Sequence, residues 1–458
     1  MLGAPMGQCP PCGGHFFGEA MFESLRKLFS GDPAPAKMAK SSSLTSAPLE
    51  PALPDAFLQR EVVFDRRNRL AGHLFSLQFP YEPSHSRRQC DQALLDTLNA
   101  STDAWNTGQV FIPIAARSLN LPAIDRLRPA NTALLIDLDV DCDPQPLVSR
   151  FDELHGRGLR LGLFRNPRHP AFAALIARSD LAALNVAASD GITVRDFSAA
   201  IRVGEKQKPV LLFGSDIETL DDHRLCHQWH FEYFHGPFAA SAPPRKGDAG
   251  SDPNKVLLLH LMRLVQGDAE NAEIAEAMKQ DPLLAFRILR YLNSPALGLN
   301  HPIDSLSQAL IILGRQRLTR WLAVLLFSVR EPDFGDWLLV ESALTRGRLM
   351  EVLGESCFPG QATDSLFLTG IFSCLDRLLR RPMAEALGDM PLAPGVRDAL
   401  IARSGPYAPL LAVAEAADAF HLTAMADTAA AAGIDATRVN RALLAATAWA
   451  SEVTEHWE

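Results

Sequence analysis

The sequence predicts an α/β domain followed by an all-α domain, on three observations. Between residues 55 and 240, short apolar runs without polar alternation take turns with helical patterns, as is typical of strands buried in a parallel sheet. Residues 241–253 are rich in Pro, Gly and Ser and indicate a linker. From residue 254 to 458 only helical patterns remain. The repeated strand-helix order favours an α/β barrel or a doubly wound sheet for the first domain.

Composition limits the class of protein. The 458 residues allow two or three domains at about 150 residues per domain. Apolar residues make up 47% and charged residues 21%, which excludes a wholly disordered chain, a collagen-like chain and a coiled-coil rod. Lys and Arg number 44 against 53 Asp and Glu, so the net charge is −9. Non-specific binding of nucleic acid is therefore unfavourable, because phosphate contacts need clustered positive charge.

The sequence predicts a cytoplasmic protein without a membrane span. Its longest apolar runs, Ala171–Ala177 and Trp321–Phe327, are far shorter than the ~20 residues that a bilayer core needs, so both are predicted to be buried helix segments. The first residues lack the basic start and apolar core of a signal peptide. The seven cysteines are an odd number scattered along the chain, which is typical of reduced thiols in a cytoplasm.

The N-terminal segment, residues 1–54, is predicted to be disordered, because Pro, Gly, Ala, Ser and Lys dominate its second half. Cys9 and Cys12 form a single CxxC motif, but no strand can precede it as a redox motif requires. We therefore expect no metal or redox role for the pair. Met21 begins a short amphipathic pattern and is an alternative start to Met1, in which case neither cysteine is present.

The α/β domain, residues 55–240, is expected to open with a hairpin, since its first two strands follow each other without a helix. The predicted strands are Glu61–Phe64, Leu70–Phe79, Val110–Ile114, Ala133–Leu138, Leu159–Phe164, Leu181–Val186, Val210–Phe213 and Trp229–Phe234. The predicted helices are Arg88–Ala100, Gln145–Arg157, Ala171–Arg178, Thr193–Val203 and Ile217–Gln228.

The second domain, residues 254–458, is predicted to contain ten amphipathic or buried helices. Start signals such as Asp281-Pro282 and Asp304-Ser305 support several of them. The predicted helices are Asn254–Gln266, Asn271–Gln280, Pro282–Leu292, Ser305–Leu313, Arg315–Ser328, Trp337–Glu355, Phe367–Leu379, Val396–Arg403, Pro409–Phe420 and Thr437–Val453.

Four aspartates alternate with other residues at the end of a predicted strand, so all four would face one side of an extended chain. They are Asp137, Asp139, Asp141 and Asp143. A calcium loop is disfavoured, because Cys142 stands where the sharp turn needs Gly and Val148 where a bidentate Glu belongs. We expect the solvated end of a strand.

Two further clusters have a functional and a structural interpretation. The densest group of soft metal ligands is His223, Cys226, His227, His230 and His235. A zinc site needs four converging ligands, so a His-rich surface helix is favoured over a metal site. Five arginines could hold an anionic ligand or a nucleic-acid backbone, but a solvated face with internal salt bridges is favoured. They are Arg287, Arg290, Arg315, Arg317 and Arg320.

Common catalytic motifs are absent from the sequence. It contains no Gly-x-Ser-x-Gly, no phosphate-binding Gly-rich loop and no His-Glu-x-x-His. It also contains no His-Asp dipeptide.

Segments of the first domain resemble the EAL domains, which are cyclic di-GMP phosphodiesterases. The segments are Phe57–His73, Leu154–Leu163, Val210–Thr219 and Tyr233–Phe238. The resemblance implies a TIM-like barrel, which is expected to be trimmed because this copy is short.

Segments of the second domain resemble the HDOD domain, a helical relative of the HD phosphohydrolases. The segments are Asp281–Pro295, Ile303–Leu318, Phe367–Asp376 and Thr447–Ala450. Both resemblances together cover about residues 55–452. They imply an EAL-HDOD two-domain signalling protein of the bacterial cytoplasm.

The resemblance also implies that the chain is not an enzyme. EAL domains hydrolyse the phosphodiester with two divalent metals that activate a water. At the positions aligned with the active-site residues of the family, this sequence has Leu74, Pro113, Asp137, Phe164, Arg165, Asn185, Ala187, Ser215, Glu218 and His235. Only Asp137 and Glu218 are acidic, and two carboxylates will not hold a pair of hard cations. Arg165 is expected to put a positive charge where the family has a metal.

The HD chemistry is expected to be absent as well, since HD enzymes need a His-Asp pair among their metal ligands. We therefore expect a scaffold or regulator that binds protein partners and needs no cofactor or metal. The alternative is a sensor that binds cyclic di-GMP weakly through Arg165 without metal and without turnover. A cryptic enzyme with a rebuilt site is a third alternative. The family suggests motility, biofilm or stress pathways, and no residue selects among them.

Overall fold

The computed structural model describes two parts of the chain, a β/α domain and a helical domain. The described residues are 56–80, 86–101, 108–128, 130–139, 144–203, 209–241, 252–281, 284, 285, 288, 289, 303, 305–328, 332–359 and 363–454. Several sequence predictions lie outside them: those for residues 1–54, most of the linker, Asp141, Asp143, Arg287, Arg290 and most of the helix Pro282–Leu292.

The first domain is a closed barrel of eight strands in chain order, which confirms the predicted TIM-like fold. The strands are β1 (Phe57–Asp65), β2 (Leu70–Gln78), β3 (Gln109–Ala115), β4 (Thr132–Asp137), β5 (Arg160–Phe164), β6 (Leu181–Asn185), β7 (Leu211–Ser215) and β8 (Tyr233–His235). β1 is antiparallel to both of its neighbours, and β2 to β8 are parallel. The predicted opening hairpin is therefore confirmed.

Two strands begin four residues away from their predicted starts, whereas the other boundaries agree to within two residues. β1 begins at Phe57 instead of Glu61, because its first residues pair with the last residues of β2. β8 begins at Tyr233 instead of Trp229. Trp229 is the C-cap of the preceding helix and His230 has a φ of 63°, so the chain turns before it can extend.

The barrel has all eight strands. The shortening that the resemblance implies affects the outer helices instead. No helix separates β1 from β2, and the described residues between β3 and β4 form two 3₁₀ turns. The helices of this domain are α1 (Arg87–Asn99), α2 (Pro144–Gly156), α3 (Phe172–Ile176), α4 (Gly191–Val203) and α5 (Leu220–Gln228). A 3₁₀ turn, Pro237–Ser241, follows β8.

Apolar side chains fill the barrel interior. The buried cluster consists of Val63, Leu74, Phe111, Ala133, Leu135, Leu181, Ala183 and Phe213, with Phe164 and Tyr233 packed against it. The rings of Phe111 and Phe213 lie 5.1 Å apart. Because successive side chains of a strand point to opposite faces, these residues identify which positions of each strand face inward.

The second domain is helical in its described residues, as predicted. Its helices are α6 (Pro253–Gln266), α7 (Asn271–Met278), α8 (Leu306–Leu313), α9 (Arg315–Leu326), α10 (Phe334–Cys357), α11 (Asp364–Phe372), α12 (Leu375–Leu379), α13 (Met383–Leu387), α14 (Pro394–Arg397), α15 (Ala408–Ala419), α16 (Leu422–Ala431) and α17 (Ala436–Thr454). The long helix α10 packs against α11, α15 and α17. No helix in the described part of the chain is both long and apolar enough to cross a membrane.

The helical domain covers the outer face of the barrel hairpin, which has no helix of its own. The side-chain amide of Asn440 on α17 accepts from the Leu58 N–H at 2.8 Å and donates to the Ala56 carbonyl at 2.9 Å. Further along β1, the ring of Phe64 contacts that of Phe334 on α10 at 5.0 Å. Hydrogen bonds from the Asn440 side chain to the backbone, together with the contact of the two rings, therefore fix the two domains against each other along β1.

Candidate functional site at the barrel mouth

The strand ends of the barrel bring most of the family-aligned positions together. We use the term mouth for the end of the barrel at which β2 to β8 terminate. Seven of the ten aligned residues occupy inward positions on their strands, at or just below the mouth: Leu74, Pro113, Asp137, Phe164, Asn185, Ser215 and His235. The other three, Arg165, Ala187 and Glu218, follow strand ends and are exposed. In TIM barrels this end of the strands carries the active site.

Apolar side chains occupy three of the inward positions where the family has metal-site residues. Leu74 is only 5% exposed and belongs to the interior cluster, and Phe164 packs against that cluster. Pro113 lies on β3 between β2 and β4 and offers no side-chain oxygen. These side chains cannot bind a hard cation, because Mg²⁺, Mn²⁺ and Ca²⁺ take oxygen ligands.

Asp137 is the last residue of β4, which agrees with the predicted solvated strand end. Partial burial of its carboxyl raises the pKa of Asp137, as does Asp139, while Arg87 opposes the shift. The next aspartate, Asp139, lies beyond the strand and pairs with Arg117 at 2.8 Å. The two carboxylates therefore do not continue as a ladder on one strand face.

A chain of hydrogen bonds joins the ends of β6, β7 and β8. The Asn185 amide donates to Asp216 Oδ2 at 2.8 Å, and the Ser215 hydroxyl donates to the same oxygen at 3.1 Å. Asp216 has a φ of 54°, a left-handed backbone, and its N–H lies 3.5 Å from His235 Nδ1. The other ring nitrogen of His235, Nε2, lies 3.5 Å from a carboxylate oxygen of Glu61.

Glu61 belongs to the mouth although the resemblance does not single it out. It stands two residues before the inward Val63 on β1, so it also faces inward. The alternation of β1 is the sequence signal that could have identified it. With Asp137 and Asp216 it makes the mouth acidic. The described strands place no Lys or Arg at an inward position of this end.

Arg165 lies at the rim of the mouth. It follows the last residue of β5, whose inward position is taken by Phe164, and its side chain is exposed. Its backbone N–H donates to the Ala183 carbonyl at 2.8 Å. The guanidinium group is free to meet a ligand from solvent.

The histidine group divides into separate environments, which corrects the prediction of a His-rich surface helix. His223 is 6% exposed, stacks on Phe238 at 4.7 Å and meets the edge of Phe334 at 5.2 Å. His230 is exposed in a turn, and His235 lies in the mouth. No group of three or more His, Cys, Asp or Glu residues in the described ranges could hold a metal ion.

Acidification is expected to destabilise the protein through His223. Burial, with smaller effects of His227 and Arg224, lowers the pKa of His223 from 6.5 to about 4. The unfolded chain binds a proton below pH 6.5 that the folded protein does not, so unfolding free energy falls between pH 6.5 and about 4. Urea titrations across this range should show a weaker pH dependence for His223→Phe than for wild type. The exposed control variant His260→Gln should keep the wild-type slope, and an unchanged slope in His223→Phe contradicts the prediction.

The described arginines of the helical cluster support the prediction of internal pairing. Arg320 binds both oxygens of Glu351 at 2.5 and 2.7 Å, and its guanidinium lies 3.8 Å from the ring centre of Phe367. Arg315 donates to the carbonyls of Val265 and Ala269 at the end of α6. Arg320 is therefore paired inside the helical core, Arg315 binds backbone carbonyls near its surface, and Arg317 is exposed.

A closed eight-stranded barrel followed by a helical domain is the architecture that the resemblance to EAL-HDOD two-domain proteins implies. Residues 253–383 match the HDOD domain family. This match and the closed barrel confirm the resemblance to an EAL-HDOD two-domain protein found in the sequence.

Two curated proteins are similar over most of the chain. The uncharacterized protein YuxH of Bacillus subtilis is 24% identical over 372 residues, 78% of this chain and 88% of that protein. The cyclic di-GMP phosphodiesterase CdgJ of Vibrio cholerae is 23% identical over 326 residues, 70% of this chain and 74% of that protein.

Two solved structures match the barrel region. They are Bacillus subtilis YkuI, a protein with an EAL domain in complex with cyclic di-GMP and calcium, and Klebsiella pneumoniae BlrP1 in complex with calcium and cyclic di-GMP. Their identities are 12% and 13%, and each TM-score is 0.33. The matches cover 40% and 42% of this chain and 54% and 56% of those chains, so this chain spans about half the length of these solved relatives.

Proposed function

We propose that this protein is a non-catalytic regulator in cyclic di-GMP-related signalling, and that it acts by binding other proteins. The observation that carries the proposal is the composition of the mouth. Leu74, Pro113 and Phe164 take inward positions at which the resemblance implies metal-site residues, and the first and last of them pack into the apolar interior. The barrel keeps its eight strands, but these three positions supply no side-chain oxygen at its mouth.

The residues present do not fit the two metals that the EAL resemblance implies. A pair of hard cations needs several shared oxygen ligands, each held within coordination distance. Of the aligned positions, Asp137 ends β4 and Glu218 lies exposed beyond β7, separated by two further strands of the barrel. No hydrolytic step through metals is therefore assigned to this mouth.

The contact between the domains supports a role in protein binding. Buried residues of β1 and β2 pack on α10, α15 and α17, so the barrel and the helices present a combined surface. Apolar side chains fill the barrel interior, and the helical domain packs on its outer face. Such a barrel is suited to keep a partner-binding surface rigid. The HDOD resemblance points in the same direction, since it implies scaffolds that act through protein partners.

The alternative, a cyclic di-GMP sensor without turnover, depends on Arg165. Its exposed guanidinium at the rim is suited to phosphate. The carboxylates at the mouth, Glu61, Asp137 and Asp216, oppose this function, because they repel a ligand with two phosphates. We therefore rank the sensor below the protein-binding regulator.

Calorimetric titration of cyclic di-GMP into the full chain tests both functions. We expect neither heat of binding nor linear product, with or without MgCl₂ or MnCl₂, in protein treated with a chelator and then dialysed. Binding without metal that is lost in Arg165→Glu would establish the sensor instead. Metal-dependent product that is lost in Asp137→Asn would establish a rebuilt enzyme and overturn the proposal.

A further inference from the structure

A buried cluster of charges joins the barrel to the helical domain at Arg60. The Arg60 side chain is 6% exposed and points outward from β1. Its guanidinium pairs with Glu341 on α10, lies 3.5 Å from Asp418 Oδ1 on α15 and donates to the Thr345 hydroxyl at 3.2 Å. One planar cation from the barrel therefore meets two carboxylates and a hydroxyl of the helical domain.

Other buried groups also bind the two carboxylates that meet Arg60. Burial lowers the pKa of His73 well below 6.5, so its neutral ring donates from Nε2 to Glu341 at 3.0 Å and adds no charge. On the other side, Arg346 donates to Asp418 Oδ2 at 2.8 Å and to Ser373. The fork of Arg60 therefore shares Oε1 of Glu341 with His73 and reaches the second oxygen of Asp418, Oδ1.

Charge balance in the cluster depends on the barrel. Glu341 and Asp418 are 4% and 9% exposed. Among the described residues of the helical domain, Arg346 is the buried cation against them, and it also lies 3.7 Å from the partly exposed Glu415. Arg60 completes the balance at two positive and two negative charges. Burial lowers the pKa of Arg60 only to about 10, so it remains charged near neutral pH. Without Arg60, a buried carboxylate would lack its counter-charge.

We propose that the helical domain carries a guanidinium-binding site made of Glu341, Thr345 and Asp418, and that Arg60 of the barrel occupies this site in cis. The ligand class is an alkylguanidinium, the end of an arginine side chain. Occupation locks the barrel against the helices, because Arg60 neighbours the β1 backbone that Asn440 holds. Lysine is a poor substitute, since a point charge cannot satisfy acceptors on two sides of the fork.

Chemical rescue of Arg60→Ala in the full chain tests the site. This substitution removes the atoms of an ethylguanidinium ion. We expect its melting temperature to fall by several degrees and to recover in a saturable manner with millimolar ethylguanidinium chloride. Ethylammonium chloride at equal concentration should give little recovery. Wild type should not respond, because its site is filled, and Arg60→Ala/Glu341→Ala should not respond, because its site lacks the principal carboxylate.

The outcomes separate the site from a general effect of the salt. Equal responses to ethylguanidinium in Arg60→Ala and in Arg60→Ala/Glu341→Ala would overturn the proposal, and so would the absence of any response in Arg60→Ala. If Arg60→Ala does not fold alone, the same compounds are present during refolding, and the yield of folded protein is measured. A yield that recovers with ethylguanidinium but not with ethylammonium supports the proposed site. A yield that does not recover with ethylguanidinium overturns the proposal.

Discussion

Replacing Arg60 with methionine is expected to lower the free energy of unfolding by ~3–5 kcal/mol, the range for breaking a buried ion pair by removing one partner. Methionine keeps much of the side-chain volume, so the loss reports on charge and hydrogen bonds more than on packing. The substitution leaves Glu341 without its arginine partner and Asp418 with Arg346 as its close cation. The loss exceeds that of a surface pair, which is typically below ~1 kcal/mol.

Urea unfolding of the full chain at pH 7 measures this loss. Arg67→Met is the matched control, because Arg67 lies in the turn of the same hairpin and is exposed. It should change the free energy by less than ~0.5 kcal/mol. The double variant Arg60→Met/Glu341→Gln should lose less than the sum of the two single variants, since it removes both charges of one pair. A loss in Arg60→Met no larger than in Arg67→Met would refute a buried charge cluster.

Gly370→Ala should be the second severe substitution, with a loss of ~3 kcal/mol, the upper part of the range for overpacking. Helices α10 and α11 approach so closely that a Cβ at Gly370 would lie 2.4 Å from the Arg346 carbonyl oxygen and 2.6 Å from the Gly347 Cα. Backbone atoms cannot rotate away as a flexible side chain can. The two helices must therefore separate, which disturbs the helix that carries Glu341 and Arg346.

Gly156→Ala is the matched control for the helix crossing. Gly156 is the last residue of α2, and a Cβ there would meet nothing within 4 Å. Alanine has the higher helix propensity, so this variant should be neutral or slightly more stable. Thermal unfolding of both variants decides the point. Equal melting temperatures for Gly370→Ala and wild type would mean that α10 and α11 do not cross as closely as described.

The barrel was predictable because strands buried in a parallel sheet appear in a sequence as short, continuous apolar runs. Each of the eight runs overlaps an observed strand, and the absence of a helix between the first two predicted the hairpin. Boundaries were less accurate where a cap or a left-handed residue decided them, as at His230 before β8. Local backbone preferences of this kind are weak signals in a single sequence.

The site was predictable in its residue types and unpredictable in its contacts. Leu74 and Phe164 stand at inward positions, where alternation along their strands places them. His223 was expected on a surface, yet a ring from the other domain, Phe334, covers it. Helical spacing shows which residues share a face, but it does not show what packs on that face.

By itself, the sequence determined the order of the two domains, the eight strands and the residue types at the aligned positions, because each depends on local pattern. Only the tertiary structure decided that Arg60 and His73 of the barrel bind Glu341 of the helical domain and that Glu61 faces His235. His73 and Glu341 are 268 residues apart along the chain. Burial turns such a distant pair into a strong interaction, and burial is a property of the folded chain as a whole.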